Sequence, residues 1–435
     1  MQFEKLNLFL PGYNDVEIPQ MVRVRQNFNV NRVEDPESEI RTKLKARMVA
    51  GQLRELKGKR IAVTAGSRGI PQYKEILRAL ISQLKELGAE PFLFPAMGSH
   101  AGGTAEGQKA VLTSFGIVEE YIGAPILSSM ESVVIGKLDN GQPVYCDKFA
   151  AEADGIVLCH KIRPHPNFKG KHESGLLKMI CIGAGKHYGA ATFHDGGFDD
   201  FDKHLEEVSE CFLKNVNVVF GVAICENAYN ELARIEVIPT EQIIKQDAEI
   251  LQWSRTQLPR LYTEDIDVLV IDEIGKEIDG AGFDPHVTGR NVEAAKFAAM
   301  FKENAPAIKK IVLLDITEQT HGCASSMGCA DFISYRFANK IDFASTYINL
   351  HTAKTPKGAA MPPYANSDED AIKLAILTGI DTNRKGARIV RIKNTLCLNE
   401  IEVSVAYLDE IKDNSNLEVV GEPFNMSFNE MGNLW

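Results

Sequence analysis

The chain has 435 residues and a mass of 48.1 kDa, with 44% hydrophobic and 25% charged residues. These are values of an ordinary globular protein, so the sequence is not disordered and is long enough for two or three domains. The net charge of −11 and the isoelectric point of about 5.5 argue against a nucleic-acid or anionic-membrane partner. No apolar run approaches the roughly 20 residues of a membrane span and no signal peptide is evident, so we expect a cytoplasmic protein.

The eight cysteines are scattered along the chain, and no two of them form a C-x-x-C pair. This pattern is typical of reduced, mostly buried thiols rather than of a disulfide framework or a zinc fold. His321, Cys323 and Cys329 lie close together in the sequence. A metal site there is an alternative, although the spacing matches no standard site.

The clearest local pattern is a strand, a helix and a second strand near the start of the chain. Residues 60–64 (RIAVT) predict a short buried strand followed by a turn. A helix opened by Pro71 comes next, with apolar residues at spacings of three and four, and Gly88 ends it. Residues 91–96 predict the next strand, and residues 98–103 form the loop after it.

A third strand, predicted at residues 155–160, leads into a polar loop at residues 161–175 that is rich in histidine, lysine and glycine. Strands that alternate with helices indicate a parallel sheet with helices on its faces. In such sheets, binding sites form at the carboxyl ends of the strands. Three successive strand ends carry Arg68, His100 and the His165 loop, which would converge if the strands are neighbours.

The second half of the chain repeats the alternation of strands and helices. An amphipathic helix is predicted at residues 241–257 and a new strand at 267–272. A glycine-rich loop, a helix from about Val292 and a strand at 310–315 follow, and residues 385–410 predict further strands.

We therefore predict an α/β protein of two domains, each a mostly parallel sheet with flanking helices, and an active-site cleft between them. Residues 1–260 would form the N-terminal cofactor-binding and catalytic domain, and residues 261–412 the C-terminal α/β domain. For the tail, residues 413–435, we consider packing back on the first domain.

Four of the ten histidines fall within residues 165–194, together with several lysines and glycines. Histidine titrates near neutrality and is the commonest transition-metal ligand, and a desolvated lysine can form covalent bonds. This mixture at strand ends is typical of a catalytic cleft. A solvated basic loop is the alternative interpretation.

The order and spacing of five residues resembles the nickel-dependent lactate racemase superfamily of 2-hydroxyacid racemases and epimerases. In that family a Gly-x-His motif (here GSH) carries one acid/base histidine, His100, and a Pro-His dipeptide carries the second, His165. A Ser-Gly-x-x-Lys motif (here SGLLK) carries the lysine that tethers the cofactor, Lys178. A histidine 16 positions further on, His194, binds nickel, and an arginine before the first histidine, Arg68, contacts the substrate.

The resemblance implies nickel and a tethered cofactor, pyridinium-3-thioamide-5-thiocarboxylic acid mononucleotide, known as the nickel-pincer nucleotide. It implies an isomerase whose small-molecule substrate is a 2-hydroxyacid, either lactate-like or a sugar acid. One histidine takes the hydroxyl proton while the C2 hydrogen moves as hydride, and the second histidine returns the proton after attack on the other face. Arg68 would bind the substrate carboxylate, and His194 would give Ni(II) an imidazole ligand.

Two substrate-binding positions depart from the family pattern or match it only loosely. Ala65 stands where the family has an aspartate three residues before the arginine. In the second domain, Lys276 is a candidate for the substrate-holding lysine of the family. These features leave the identity of the 2-hydroxyacid open.

Two further histidines compete with the assigned ones. The interval between the Pro-His and Ser-Gly motifs is longer than in lactate racemase, so His172 is a rival of His165 for the acid/base role. His187 is similarly a rival of His194 as the nickel ligand.

Residues 183–189 nearly match a dinucleotide-binding fingerprint, G-x-G-x-x-G, which leaves an NAD-dependent oxidoreductase as an alternative. A third possibility is a non-catalytic small-anion or metal-binding protein of the same fold.

Overall fold

The computed structural model describes residues 3–53, 55–67, 69–195, 200–292, 300–303, 305–352, 355–380 and 384–434. The chain divides into two compact units. Asn29–Leu258 form the first, called here the central unit, and Met1–Phe28 together with Pro259–Trp435 form the second, called the terminal unit.

The strands of the described residues fall into two large sheets and one hairpin. In chain order they are β1 (Met21–Gln26), β2 (Arg60–Ala65), β3 (Glu90–Pro95), β4 (Ser132–Lys137), β5 (Pro143–Asp147), β6 (Gly155–Lys161), β7 (Val218–Glu226), β8 (Leu232–Pro239), β9 (Ile266–Ile274), β10 (Ile308–Ile316), β11 (Phe332–Ser334), β12 (Tyr364–Ala365), β13 (Ile389–Ile392), β14 (Glu400–Ser404) and β15 (Leu417–Phe424).

Helices connect most of these strands. The α-helices of the described residues are Pro36–Val49, Tyr73–Glu86, Ala105–Ser114, Glu119–Ile122, Lys148–Ala151, Leu176–Lys178, Lys186–His194, Phe201–Asn215, Ile243–Thr256, Pro285–Thr288, Tyr335–Lys340, Phe343–Thr352, Asp368–Gly379 and Leu408–Asp413. A π-helix, Met179–Ala184, follows Leu176–Lys178 directly.

The central unit contains a five-stranded sheet of order β3-β2-β6-β7-β8. The first four strands are parallel, and β8 is antiparallel to β7. Strands β2, β3 and β6 differ from the predicted strands by a single residue at one or both ends. They are neighbours in the sheet, so the three loops at their carboxyl ends leave the same edge of the sheet.

The first helix after β2 packs as the apolar spacing predicts, because its Ile76, Leu77 and Leu80 are fully buried against the sheet. It begins at Tyr73 rather than at Pro71. The difference arises because Gln72 adopts a left-handed conformation, with φ of 54°, which a continuous helix does not allow.

The terminal unit contains an eight-stranded sheet of order β12-β11-β10-β9-β13-β14-β1-β15. The pairings β12-β11, β11-β10, β10-β9 and β9-β13 are parallel. The pairings β13-β14, β14-β1 and β1-β15 are antiparallel. The α/β class with two mostly parallel, helix-flanked sheets is therefore confirmed. The predicted helix from about Val292 falls largely on residues 293–299, which lie outside the described residues.

The two units differ from the predicted domains at both ends of the chain. Residues 1–28 belong to the terminal unit because β1 inserts between β14 and β15, with Met21 opposite both Ser404 and Phe424. The tail forms β15, and beyond it the Leu434 N–H donates a 3.0 Å hydrogen bond to Asp368. The tail therefore belongs to the terminal unit, where β15 pairs with β1, a strand of the predicted N-terminal domain. Local patterns do not predict this pairing, because the partners lie far apart in the chain.

All eight cysteines are free thiols, and five of them are buried. Burial raises the pKa of Cys159, Cys181 and Cys225 to about 12, so these thiols are protonated at neutral pH. They act as small hydrophobic residues of the core. No helix in the described parts of the chain is long and apolar enough to cross a membrane.

Candidate active site

The candidate site lies at the carboxyl edge of the sheet in the central unit. A turn containing Ser67 follows β2, the loop containing His100 follows β3, and the long loop containing His165 follows β6. Because β2 pairs with β3 on one side and with β6 on the other, the Ser67 turn lies between the two histidine loops.

His100 is exposed, and its Nδ1 lies 2.5 Å from the Ser67 hydroxyl oxygen. Its loop begins at Gly98, which adopts a left-handed φ of 57° and donates its N–H to the Gly183 carbonyl at 3.1 Å. A Cβ at Gly98 would lie 3.0 Å from the carbonyl oxygen of Ile182. The loop therefore rests directly on the π-helix that follows Lys178.

A buried polar network lies beneath the His100 loop. The Lys186 side chain is fully buried and donates to the Pro95 carbonyl at 2.6 Å and to the Gln108 Oε1 at 3.2 Å. Its ammonium also pairs with the equally buried Asp147 carboxylate at 3.2 Å. Burial lowers the pKa of Lys186 and raises the pKa of Asp147, because both charged forms have lost water. Gln108 in turn donates its Nε2 to the Gly98 carbonyl at 2.9 Å.

The His165 loop is held by a buried carboxylate. The His165 N–H donates to Glu173 at 2.6 Å, and the second oxygen of Glu173 accepts from the Gly170 N–H and from the Arg255 guanidinium. The Nδ1 of the half-buried His165 ring accepts the Asn167 N–H at 3.1 Å. Because Nδ1 accepts a hydrogen bond, the proton of the neutral imidazole is on Nε2.

An aromatic cluster joins His165 to His194. The rings of His165 and Phe168 are 4.5 Å apart, those of Phe168 and Phe201 are 4.4 Å apart, and those of Phe201 and His194 are 5.7 Å apart. These centroid distances are typical of packed aromatic pairs. The two histidines thus contact one apolar cluster, Phe168 and Phe201, from different segments of the chain.

The turn after β2 is fixed from the neighbouring strand. The Lys161 ammonium donates to the Gly69 carbonyl at 3.0 Å and to the Glu226 carboxylate at 2.7 Å. A Cβ at Gly66 would lie 3.0 Å from the His160 ring, so the strand ends are in close contact here. The turn is therefore held on both sides of position 68.

His172 occupies a different environment from His165. It is fully buried, and its Nδ1 lies 3.0 Å from Asp247. The second oxygen of Asp247 accepts the Leu176 N–H at 2.7 Å, at the start of the helix that carries the half-buried Lys178. The His172–Asp247 pair therefore anchors that helix inside the unit.

The other residues singled out by sequence are placed as follows. His187 is exposed, and its Nδ1 lies 3.8 Å from the Cβ position of Gly103, beside the His100 loop. Arg68 lies outside the described residues. Lys276 belongs to the terminal unit, where it is half-buried and its N–H donates to Thr320 at 3.3 Å.

Ala65, where the resemblance expects an aspartate, is the last residue of β2 and is fully buried in the apolar core. Its core neighbours include Ile70 and Tyr73. A buried carboxylate without a partner is costly, so the methyl group suits this environment.

The glycines of residues 183–189 serve packing. Gly183 lies in the π-helix, where a Cβ would be 2.5 Å from the Met179 sulfur, and a Cβ at Gly185 would be 2.8 Å from the Cys181 carbonyl oxygen. The segment does not follow a strand, as a dinucleotide fingerprint requires.

In the described parts of the chain, no three His, Cys, Asp or Glu side chains are grouped so that they could hold a metal ion, His321 and its cysteine neighbours included.

Sequence reasoning missed the residues that hold the candidate histidines in place. Ser67 precedes Arg68, and Glu173 precedes the Ser-Gly-x-x-Lys motif, so their positions beside predicted site residues could have identified them. Lys186 contacts Pro95 from 91 residues away, and Asp247 contacts Leu176 from 71 residues away. Gln108 lies only 10 residues from its acceptor Gly98, but no local pattern marks it.

Comparison with known proteins supports both the fold and the resemblance. Residues 12–199 match the lactate racemase N-terminal domain family, which confirms the resemblance over that part of the chain. The structure is similar to the lactate racemase apoprotein from Thermoanaerobacterium thermosaccharolyticum, with a TM-score of 0.50, 14% identity, and coverage of 91% of this chain and 97% of that chain. This likeness shows a lactate racemase-like fold.

A protein from Thermotoga maritima is also similar, with a TM-score of 0.47, 16% identity, and coverage of 75% of this chain and 82% of that chain. No curated protein matches the sequence.

The contact between the His100 loop and the π-helix predicts unequal effects of two glycine substitutions. Gly98 and Gly102 both have positive φ, of 57° and 70°, but only Gly98 has heavy atoms within 4 Å of a Cβ position. We expect Gly98→Ala to lower the free energy of unfolding by about 1–3 kcal/mol more than Gly102→Ala, because the added methyl group meets Ile182. Urea unfolding of both variants measures the difference, and equal values would show that the loop does not rest on the π-helix.

Proposed function

We propose that this protein is an isomerase that racemises or epimerises a 2-hydroxyacid, lactate-like or a sugar acid. The observation that carries the proposal is that the His100 and His165 loops leave the same sheet edge on either side of the Ser67 turn, and that the His100 loop contacts the π-helix after Lys178. This edge belongs to the part of the chain that matches the lactate racemase N-terminal domain family.

The residues of the edge fit the cofactor that the family uses. Lys178 is half-buried directly before the π-helix, and its amine is the group that would form the thioamide tether. The cofactor contributes carbon and sulfur ligands to nickel, so the protein needs to supply one imidazole rather than a cluster of metal-binding side chains. The exposed His194 matches this need. When bound, the group supplies a place for the C2 hydrogen to leave and return as hydride.

The environments of the histidines support His165 as an acid/base residue in preference to His172. The Nδ1 of His165 accepts a backbone N–H, so Nε2 is the nitrogen that carries the proton of the neutral ring. His172 is fully buried and paired with Asp247, which suits a structural role. His100, oriented by the Ser67 hydroxyl, would be the second acid/base residue.

Each acid/base histidine would handle one substrate proton. One imidazole would take the proton of the 2-hydroxyl group as C2 becomes planar, and the other would return a proton to the oxygen of the inverted product. Two bases are needed because the planar species is attacked from opposite faces in the two directions of the reaction.

His194 is preferred to His187 as the nickel ligand because it shares the aromatic cluster with His165. His187 instead lies beside the His100 loop. Arg68 would bind the substrate carboxylate, for which a guanidinium offers two parallel hydrogen bonds. Lys276, in the terminal unit, stays a predicted substrate-binding residue.

The assignment of the acid/base role predicts opposite outcomes for two histidine variants. His165→Asn should reduce turnover by roughly 10²–10⁴-fold with little change in stability, because it removes a positioned proton carrier. His172→Asn should lower the free energy of unfolding by about 1–3 kcal/mol, because it disrupts the buried contact with Asp247. Turnover assays and urea unfolding distinguish them, with the exposed His351→Asn as the control, and the reverse pattern would exchange the two roles.

The tether is tested by intact mass measurement and peptide mapping of protein made in a host that synthesises the nickel-pincer nucleotide. We expect a nucleotide-sized adduct on Lys178 and none in Lys178→Arg, because arginine cannot form the thioamide. An unmodified Lys178, in a host shown to load a known racemase, would contradict the proposal.

A further inference from the structure

The residues beneath the His100 loop form a connected polar network that the proposed reaction does not use directly. We propose that Lys186 and Gln108 are positioning residues that fix the His100 loop relative to the helix Lys186–His194. The inference rests on the proposed function, because it concerns the placement of its acid/base residue His100 relative to its metal ligand His194.

The Lys186 ammonium has three oxygen partners within the protein. It donates hydrogen bonds to the Pro95 carbonyl and to the Gln108 Oε1, and it forms an ion pair with the Asp147 carboxylate. These partners come from the end of β3, from the helix Ala105–Ser114 and from the end of β5. One buried cation therefore connects three elements to the first residue of the helix that ends at His194.

The lysine also determines which way the Gln108 carboxamide points. Its Oε1 accepts from the Lys186 ammonium, so its Nε2 must face the opposite side. There Nε2 donates to the Gly98 carbonyl at 2.9 Å and reaches the His100 carbonyl at 3.5 Å. The cation thus acts on the His100 loop through the orientation of one amide group.

The arrangement is unlike an ordinary core contact in two respects. Lys186 has a left-handed φ of 57°, which is unfavourable for a residue with a side chain, and its charge is completely withdrawn from water. Hydrophobic residues of similar volume often replace buried ion pairs without loss of stability. A role in placing the His100 loop accounts for a polar group here where an apolar one would suffice for packing.

The decisive variant is Gln108→Glu, measured in the protein without cofactor. The carboxylate still accepts from Lys186 but can no longer donate to the Gly98 and His100 carbonyls. We expect a lower thermal midpoint, because a buried carboxylate oxygen would face two carbonyl oxygens, together with amide exchange at Gly98, His100 and Gly103 that is about tenfold faster relative to the rest of the unit. The imidazole ¹⁵N chemical shifts of His100 should also move, whereas those of His165 should not.

Two further variants control for folding defects. Lys186→Met combined with Asp147→Asn removes both charges together, and it should loosen the same loop amides. Gln83→Met changes another buried glutamine of the central unit and should leave them unchanged. Uniformly faster exchange across the unit in Gln108→Glu, or unchanged exchange and His100 shifts, would overturn the proposal.

These measurements need neither cofactor nor turnover, so their failure is distinguishable from failure of the proposed function. If Gln108→Glu loosens the loop but the protein never forms the Lys178 adduct, the positioning role of Lys186 and Gln108 is supported and the racemase assignment is contradicted.

Discussion

The parallel pairing of β2 with β3 and with β6 is the constraint on which the candidate site depends. It brings three loops from distant parts of the sequence to one sheet edge, where the strands themselves fix the spacing of the loops. Hydrogen bonds and close packing then set the finer placement, with Gly98 bonded to Gly183 and Gly66 against His160. Without this strand pairing the loops of the two candidate acid/base histidines would not leave the same edge, whatever local contacts each loop makes.

Beneath this edge, the central unit buries polar groups that pair with one another. Lys186 with Asp147, and His172 with Asp247, are buried pairs with hydrogen bonds to the surrounding backbone. Such groups cost desolvation free energy, which their mutual hydrogen bonds partly offset. The Lys186–Asp147 pair supports the His100 loop, and the His172–Asp247 pair supports the helix that carries Lys178. Each pair can therefore orient one element of the candidate site.

The sequence predicts the parts of the molecule that local patterns determine. Strands β2, β3 and β6 follow from short apolar runs, and the helix after β2 from its three- and four-residue spacing, because burial of one face is encoded locally. The position of β1 is not predictable in this way, since its partners β14 and β15 lie at the other end of the chain. The same holds for the candidate site: motif spacing identifies His100, His165 and Lys178 as candidates, whereas long-range contacts such as that of Lys186 with Pro95 emerge only from the fold.

The most direct test of the central claim follows the C2 hydrogen during inversion. A single enantiomer of a 2-hydroxyacid, deuterated at C2, is incubated in ordinary water with cofactor-loaded protein, using lactate, malate and aldonates in turn. Chiral chromatography with mass spectrometry then reports both configuration and label. The account predicts inverted product that retains deuterium at C2. Inversion with loss of deuterium to water, or no inversion of any of these acids by fully loaded protein, would contradict it.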